Sequence, residues 1–324
     1  MQENRRALQI SLVAEVCSAW RVLAADGDHL QLAHDTLASQ RSSHELTRRT
    51  DALGGTSAKV PAQAQTTVDA ARIEVARLST QVALDRHALD LLAGAALDPA
   101  LLPGPGATSS GAAADGAASL LVDVPAGLPS EPLQRRPDVL AAEHLLRAAN
   151  ADIGAARAAL FPGISLTGSA GTQSRSLAGL FSAGGLTWGF VPQIDLPIFD
   201  SGRRQAKLQV SQAQQAIEVA RYGAALQIAF REVADALSKR ELLADRLAAQ
   251  ASLIDATARV HALSTTLFKN GASSYFEVLD AQRSLYAAQQ DSITLRYADK
   301  INRIALYRAL GGGWSERDVA DPPR

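Results

Sequence analysis

The residue types that most often carry chemistry are sparse in this chain and poorly spaced for it. Six histidines stand at positions 29, 34, 44, 87, 144 and 261. None falls in an HExxH arrangement, and one cysteine leaves no CxxC pair. His29 and His34 come nearest to a metal pair, but a spacing of five turns them away from a common helix face. Cys17 lies inside a helical run and has no cysteine to pair with. It reads as a small packed residue. The glycines of residues 104–111 do not make a phosphate loop, because no strand precedes them and no Gly-Lys-Ser/Thr follows. Gly311-Gly312-Gly313 reads as a helix stop. No nucleophile–base pair stands out. No catalytic residue, metal or cofactor is expected, and the chain does not read as an enzyme.

The elements that would have to position a site tell more. Residues 14–94 and 231–311 repeat each other without a gap, 217 residues apart. Glu15-Val16 returns as Glu232-Val233, His44 as His261, Gly54 as Gly271, Ser57 as Ser274, Ala64-Gln65 as Ala281-Gln282, and Gly94 as Gly311. Each copy reads as a long antiparallel helical hairpin. In the first, residues 3–52 carry Leu8, Leu12, Val16, Ala19 and Leu23 at helical spacing. Gly54-Gly55 stops that helix, and a second runs from about Pro61 to Leu92. In the second copy, one helix runs from near Gly202 to about Lys269, roughly 100 Å at 1.5 Å per residue. Asn270-Gly271 turns the chain into a partner helix over 274–310.

The segments are therefore 1–95, a first helical hairpin; 96–137, a small-residue linker; 138–162, a lead-in helix ended by Phe161-Pro162-Gly163; 163–200, a strand pair; 201–312, the second hairpin; and 313–324, a tail. The expected fold class is mainly α with a small β part.

The strand pair has period-two patterning. Ile164, Leu166, Gly168 and Ala170 share one face of the first strand, opposed by Ser165, Thr167, Ser169 and Gly171. Over 187–198, Trp188, Phe190, Pro192, Ile194, Leu196 and Ile198 share a face, with Thr187, Gly189, Gln193 and Asp195 on the other. Each run matches the ~9–11 residues of a tilted transmembrane strand, and apolar-out, polar-in alternation is the membrane-barrel pattern. Trp188, Phe190 and Phe199 suit membrane-interface girdles. A half-buried pair in a soluble sheet has the same alternation, and Pro192, which has no N–H to give a ladder, fits that alternative.

Charge narrows the partners. Thirty-two Lys+Arg against 33 Asp+Glu leave a net charge of -1, so nothing attracts nucleic acid. The polar opening Met1-Gln-Glu-Asn-Arg-Arg carries no secretory signal. No run was found with the ~18 apolar residues of a spanning helix. Taken alone, those two points imply a cytoplasmic chain, and the strand pair contradicts them.

Several stretches together resemble the TolC-type outer-membrane factors, most closely the NodT branch of RND efflux outer-membrane lipoproteins. They are Gly127-Leu-Pro-Ser-Glu-Pro-Leu-Gln-Arg-Arg-Pro-Asp-Val139, Ala148-Ala-Asn-Ala-Asp-Ile-Gly-Ala-Ala-Arg157, Leu160-Phe-Pro162, Leu177-Ala-Gly-Leu-Phe-Ser-Ala-Gly184, Phe230-Arg-Glu-Val-Ala-Asp-Ala-Leu237, Leu279-Asp-Ala-Gln-Arg-Ser-Leu285 and Leu310-Gly-Gly-Gly-Trp314. The resemblance implies a homotrimer whose protomers share one barrel in outer-membrane lipid, four strands from each, above a periplasmic α-barrel. It implies a passive duct for drugs or other small toxic compounds, served by a periplasmic adaptor and an inner-membrane RND pump. It places a periplasmic constriction at Phe276 and Asp280, with Lys269 where a basic residue commonly braces the closed tip.

The chain departs from that pattern in two places. Residue 1 aligns with residue 218, so the counterpart of 138–217 is missing, along with a signal peptide and lipidated cysteine. Two strands per protomer then replace four, and six strands from a trimer would not close a barrel of the family's size. The expectation is an N-terminally truncated product or a misplaced start, with a non-channel helical remnant or interaction protein as the alternative. Secondly, where the family often has another tip acid, this chain has Val60 followed by Pro61.

Overall fold

The computed structural model describes residues 2–55, 57–104, 106, 136–173, 175, 177, 186–196 and 198–312. Most of the linker, most of the 127–139 and 177–184 motifs, Trp314 and the tail lie outside them.

Five α-helices and one strand pair make up the described residues. They are α1 (Gln2–Ala52), α2 (Lys59–Ala93), α3 (Pro137–Ala158), β1 (Gly163–Thr172), β2 (Leu186–Asp195), α4 (Arg203–Lys269) and α5 (Tyr275–Ala309). A short 3-10 turn, Pro99–Leu101, follows α2. The chain divides into two compact units, Asp138–Gln227 and the remainder, and α4 contributes to both.

In the larger unit α1 packs along α2 and along α5. The core is thin and built from small or medium side chains, among them Ala24, Ala33, Ala64, Leu78, Leu89 and Ala288. Small residues let long helices approach closely with little side-chain entropy to lose. One 18-residue window of α1 reaches a mean hydropathy of 1.3 with 22% of it buried. The sequence reading missed this window, which lies on a helix that packs on two others.

Both hairpins turn by one device. Gly54 and Gly271 have φ of 75 and 74, the left-handed region where a Cβ is costly. At the first turn Gly54 N–H donates to Asp51 O at 2.8 Å and Gly55 N–H to Thr50 O at 2.9 Å. At the second, Gly271 N–H donates to Phe268 O at 3.0 Å and Ala272 N–H to Leu267 O at 2.9 Å. This is the Schellman pattern, which satisfies carbonyls that a helix end otherwise leaves bare. Gly311 and Gly312 end α5 in the same way. They do so in a tight place: a Cβ on Gly312 would lie 2.8 Å from Ile10 Cγ1.

Two polar clamps hold the segments that leave the hairpins. Arg136, 6% exposed, meets Glu232 Oε2 at 2.8 Å and donates to Ala309 O at 2.9 Å. After α2 the chain runs back over α1. Trp20 Nε1 donates to Leu101 O at 3.0 Å, and Gly106 N–H donates to Asp28 Oδ1 at 2.6 Å. The described start of the linker is thus tied down, which its small-residue composition had not suggested.

In the smaller unit β1 and β2 form an antiparallel ladder from Gly163↔Asp195 to Thr172↔Leu186. Where they leave the helices, Arg204 donates to Ala159 O at 3.0 Å and meets Asp200 Oδ2 at 3.3 Å. Asp200 also accepts from the amides of Gly202 and Arg204, capping α4. The ladder stops at Asp195, so Leu196 and Ile198 lie beyond the paired strand expected over 187–198.

Replacing Arg136 with Met keeps the stem but strands the Glu232 carboxylate and the Ala309 carbonyl. Unfolding stability should fall by about 2–3 kcal/mol. Gly271→Ala should cost about 1 kcal/mol. Urea denaturation followed by circular dichroism reads both, and an unmoved midpoint for either would show that the contact is dispensable.

Candidate functional site

Two places collect the residues singled out by sequence. The first is the hairpin tip. Here α2 and α5 meet in a small apolar cluster: Ala64, Tyr275, Val278 and Leu279 are buried, and Val60 and Phe268 pack against them. The Phe268 and Tyr275 rings lie 5.4 Å apart at 52°, a tilted arrangement that aromatic quadrupoles favour. Burial pushes the Tyr275 phenol above its ordinary range, with the Thr67 hydroxyl opposing the shift. Thr67 itself donates to Gln40 Oε1 at 2.6 Å and ties α2 to α1. Val60, which stands where an acid was expected, therefore has a packing role.

The three tip residues named from sequence lie outside this cluster. Phe276 is 63% exposed, so Tyr275 beside it, not Phe276, is the packing aromatic. Asp280 and Lys269 are exposed too. Phe276 and Asp280, four apart on α5, share one helix face. Among the described residues neither Asp280 nor Lys269 has a hydrogen-bond or ion-pair partner. Lys269 is the last residue of α4, where a cation complements the helix dipole. The structure thus brings Phe276 and Asp280 together and does not join Lys269 to them.

The second place is the strand pair. The register sets Ile164 against Ile194, Leu166 against Pro192, Gly168 against Phe190 and Ala170 against Trp188. The two apolar rows expected from sequence are thus one continuous face, with glycine and alanine paired opposite the large rings. Ser165, Thr167, Ser169 and Gly171 oppose Gln193, Val191, Gly189 and Thr187 on the other face. Nearly every ladder residue is exposed, on both faces. Trp188 is 78% exposed and Phe190 63%. Phe199, beyond the ladder, is 95% exposed. Phe161, which the sequence reading treated only as a helix stop, is 70% exposed just before β1. Because Gly163 pairs with Asp195, Phe161 and Phe199 flank one end of the ladder and Trp188 the other.

Burial lowers the imidazole pKa at both His29 and His261. Among the described residues no three His, Cys, Asp or Glu side chains converge as metal ligands would. A pair of acids, Asp26 and Asp85, does meet between α1 and α2. Comparing the two repeats reveals it, since Asp26 aligns with Leu243.

Tyr275→Ala should cost about 3 kcal/mol, while Phe276→Ala and Asp280→Ala should stay within about 0.5 kcal/mol of the parent. Thermal unfolding of the three variants checks this. A large loss at Phe276 would return it to a packing role.

Known proteins agree with these elements. Residues 128–312, more than half the chain, match the family described as outer membrane efflux protein. The chain is 43% identical over 316 residues to the probable efflux pump outer membrane protein TtgC of Pseudomonas putida, covering 98% of this chain and 63% of that protein. It therefore spans less than two thirds of that relative's length. Among solved structures, CusC superposes with a TM-score of 0.85 at 38% identity, over 96% of this chain and 71% of that one. The open state of the Neisseria gonorrhoeae MtrE outer membrane channel superposes at 0.83 with 34% identity, over 96% and 68%.

Proposed function

The chain belongs to the outer membrane efflux protein family, and from that premise we propose that it supplies one wall section of a passive export duct through the outer membrane. The observation that carries this is the β1–β2 pair. It sets an unbroken apolar row on one face and a mostly polar row on the other, with neither covered by the other described residues. Such a pair suits a place between lipid and an aqueous lumen. In this reading Phe161 and Phe199 at one end and Trp188 at the other lie at the levels of aromatic girdles, while Phe190, paired with Gly168 in mid-ladder, faces lipid. No step of this reading is catalytic, in keeping with relatives that are efflux channels.

The helices support assembly from several copies. Leu253, Val260 and Leu267 recur every seven residues on α4 and are 47%, 53% and 46% exposed. That is the seam one long helix offers another. We read the oligomer as a homotrimer, held against an inner-membrane RND pump by a periplasmic adaptor. Relatives are named for toluene, antibiotic and cation efflux. The cargo class proposed here is drugs and other small toxic compounds.

At the tip, Phe276 and Asp280 are proposed to form the constriction. Three copies of Asp280 about a threefold axis would repel one another and collect cations at the mouth. Lys269 is proposed as a basic brace drawn toward a neighbouring copy, since it has no partner among the described residues.

Extended to the full length of its relatives, the protein should fractionate with outer membranes, run as a heat-sensitive trimer and pass current in a planar lipid bilayer. A soluble monomer without conductance would favour a helical interaction protein of the same family instead. In the conducting form, Asp280→Ala should raise single-channel conductance and weaken cation preference. Unchanged values would remove Asp280 from the constriction.

A further inference from the structure

Asp26 of α1 and Asp85 of α2 face each other inside the first hairpin. Asp85 Oδ1 accepts from Gln81 Nε2 at 2.8 Å, but its Oδ2 is buried and has no donor from the chain. A buried acceptor left bare is costly. The Asp26 carboxyl lies beside it and can satisfy it only when that carboxyl carries a proton.

The surroundings do little to neutralise a second charge. From α2, Arg77 also faces Asp26, but its Nε and Nη2 are given to Glu74 at 2.8 and 2.7 Å. From α5, Tyr297 faces both acids, and burial and their charges hold its phenol above the ordinary range. On α1 itself, Asp28 accepts the Gly106 amide, and His29 lies between the charges of Asp28, Arg77 and Glu74.

The second repeat has no such pair. Leu243, 6% exposed, stands in place of Asp26. Asn302 stands in place of Asp85, and its Nδ2 donates to Ala236 O of α4 at 2.9 Å. Where the first hairpin has a titratable carboxyl, the second has an amide that keeps its protons at every pH.

We propose that the Asp26–Asp85 pair is a proton-operated latch, holding α1 against α2 when a proton lies between the two carboxyls and loosening that hairpin alone when the proton leaves.

The direction follows from where the proton is held. Burial, then the hydrogen bond and charge of Asp85, raise Asp26 from 3.8 to about 6, against the pull of Arg77. The folded chain thus keeps a proton that the unfolded chain releases near 3.8. The latch is complete below that value and is lost as pH rises through about 6.

Hydrogen–deuterium exchange of the full chain at pH 5 and pH 7, corrected for intrinsic rate, tests the proposal. Protection of α1 amides around Asp26 and α2 amides around Asp85 should fall severalfold across that interval, with about tenfold as the ceiling before the half-exposed setting is discounted. Amides around Leu243 and Asn302 should not change. Asp26→Asn supplies a permanent donor to Asp85, so its protection should be the same at both pH values. Should that variant not fold, Asp85→Asn must shrink the pH dependence, leaving at most the share that burial of Asp26 sets, and a carboxyl carbon titration of native Asp26 must find its midpoint near 6. Flat protection in the native chain, an equal fall in the second hairpin, or a fall undiminished in the variants would each overturn the latch. A native midpoint in the ordinary carboxylate range would do the same.

Discussion

A pair of strands satisfies only the backbone groups that face each other, and that limit governs how this chain can be used. The β1–β2 ladder pairs ten residues with ten, from Gly163↔Asp195 to Thr172↔Leu186. The outer edge of each strand keeps its N–H and C=O groups, and among the described residues no third strand meets them. In water such edges are solvated. In hydrocarbon each bare group costs several kcal/mol, so a membrane hairpin demands further strands and a closed ring. The apolar row, the uncovered aromatics at both ends and the small residues opposite them make sense as part of a ring. They make little sense as the surface of an isolated protein.

The helical part solves a different problem, which is how two copies of one hairpin can pack on each other. At the tip the copies present complementary surfaces. The second tip contributes the bulk, Phe268 and Tyr275. The corresponding positions of the first tip are Asp51 and Ala58. The first contributes small or medium residues, Val60 and Ala64, that the rings fill. What stayed the same is backbone geometry. Gly54 and Gly271 close both tips with one pair of hydrogen bonds, because a helix end needs that conformation whatever side chains surround it.

Much of this was legible in sequence, and what was missed has physical reasons. The repeat, the glycine stops and the period-two strands are local signals, and their faces and turns appear where the patterns put them. Three features were not local. Arg136 looked like one member of a motif, but its acceptors are Glu232 and Ala309, far along the chain. Residues 97–106 looked like a linker, since composition alone does not show that Trp20 and Asp28 fasten them. The tip aromatics were harder still. Phe276 and Tyr275 are adjacent and chemically similar, and only burial tells the packed ring from the exposed one.

The same contrast applies to the acids, and it separates two kinds of control. Asp280 is exposed and has no partner among the described residues, so it is free to act on what comes from outside: an ion, a cargo molecule or the same residue of another copy. Its effect depends on assembly. Asp26 and Asp85 meet inside one hairpin, and their interaction is complete in a single chain. Assembly is not needed for them to sense protons, and the repeat that bears Leu243 and Asn302 gives no matching response. A duct built from such chains would then have a mouth set by charges that copies bring together, while the looseness of one hairpin in each wall followed the acidity around it.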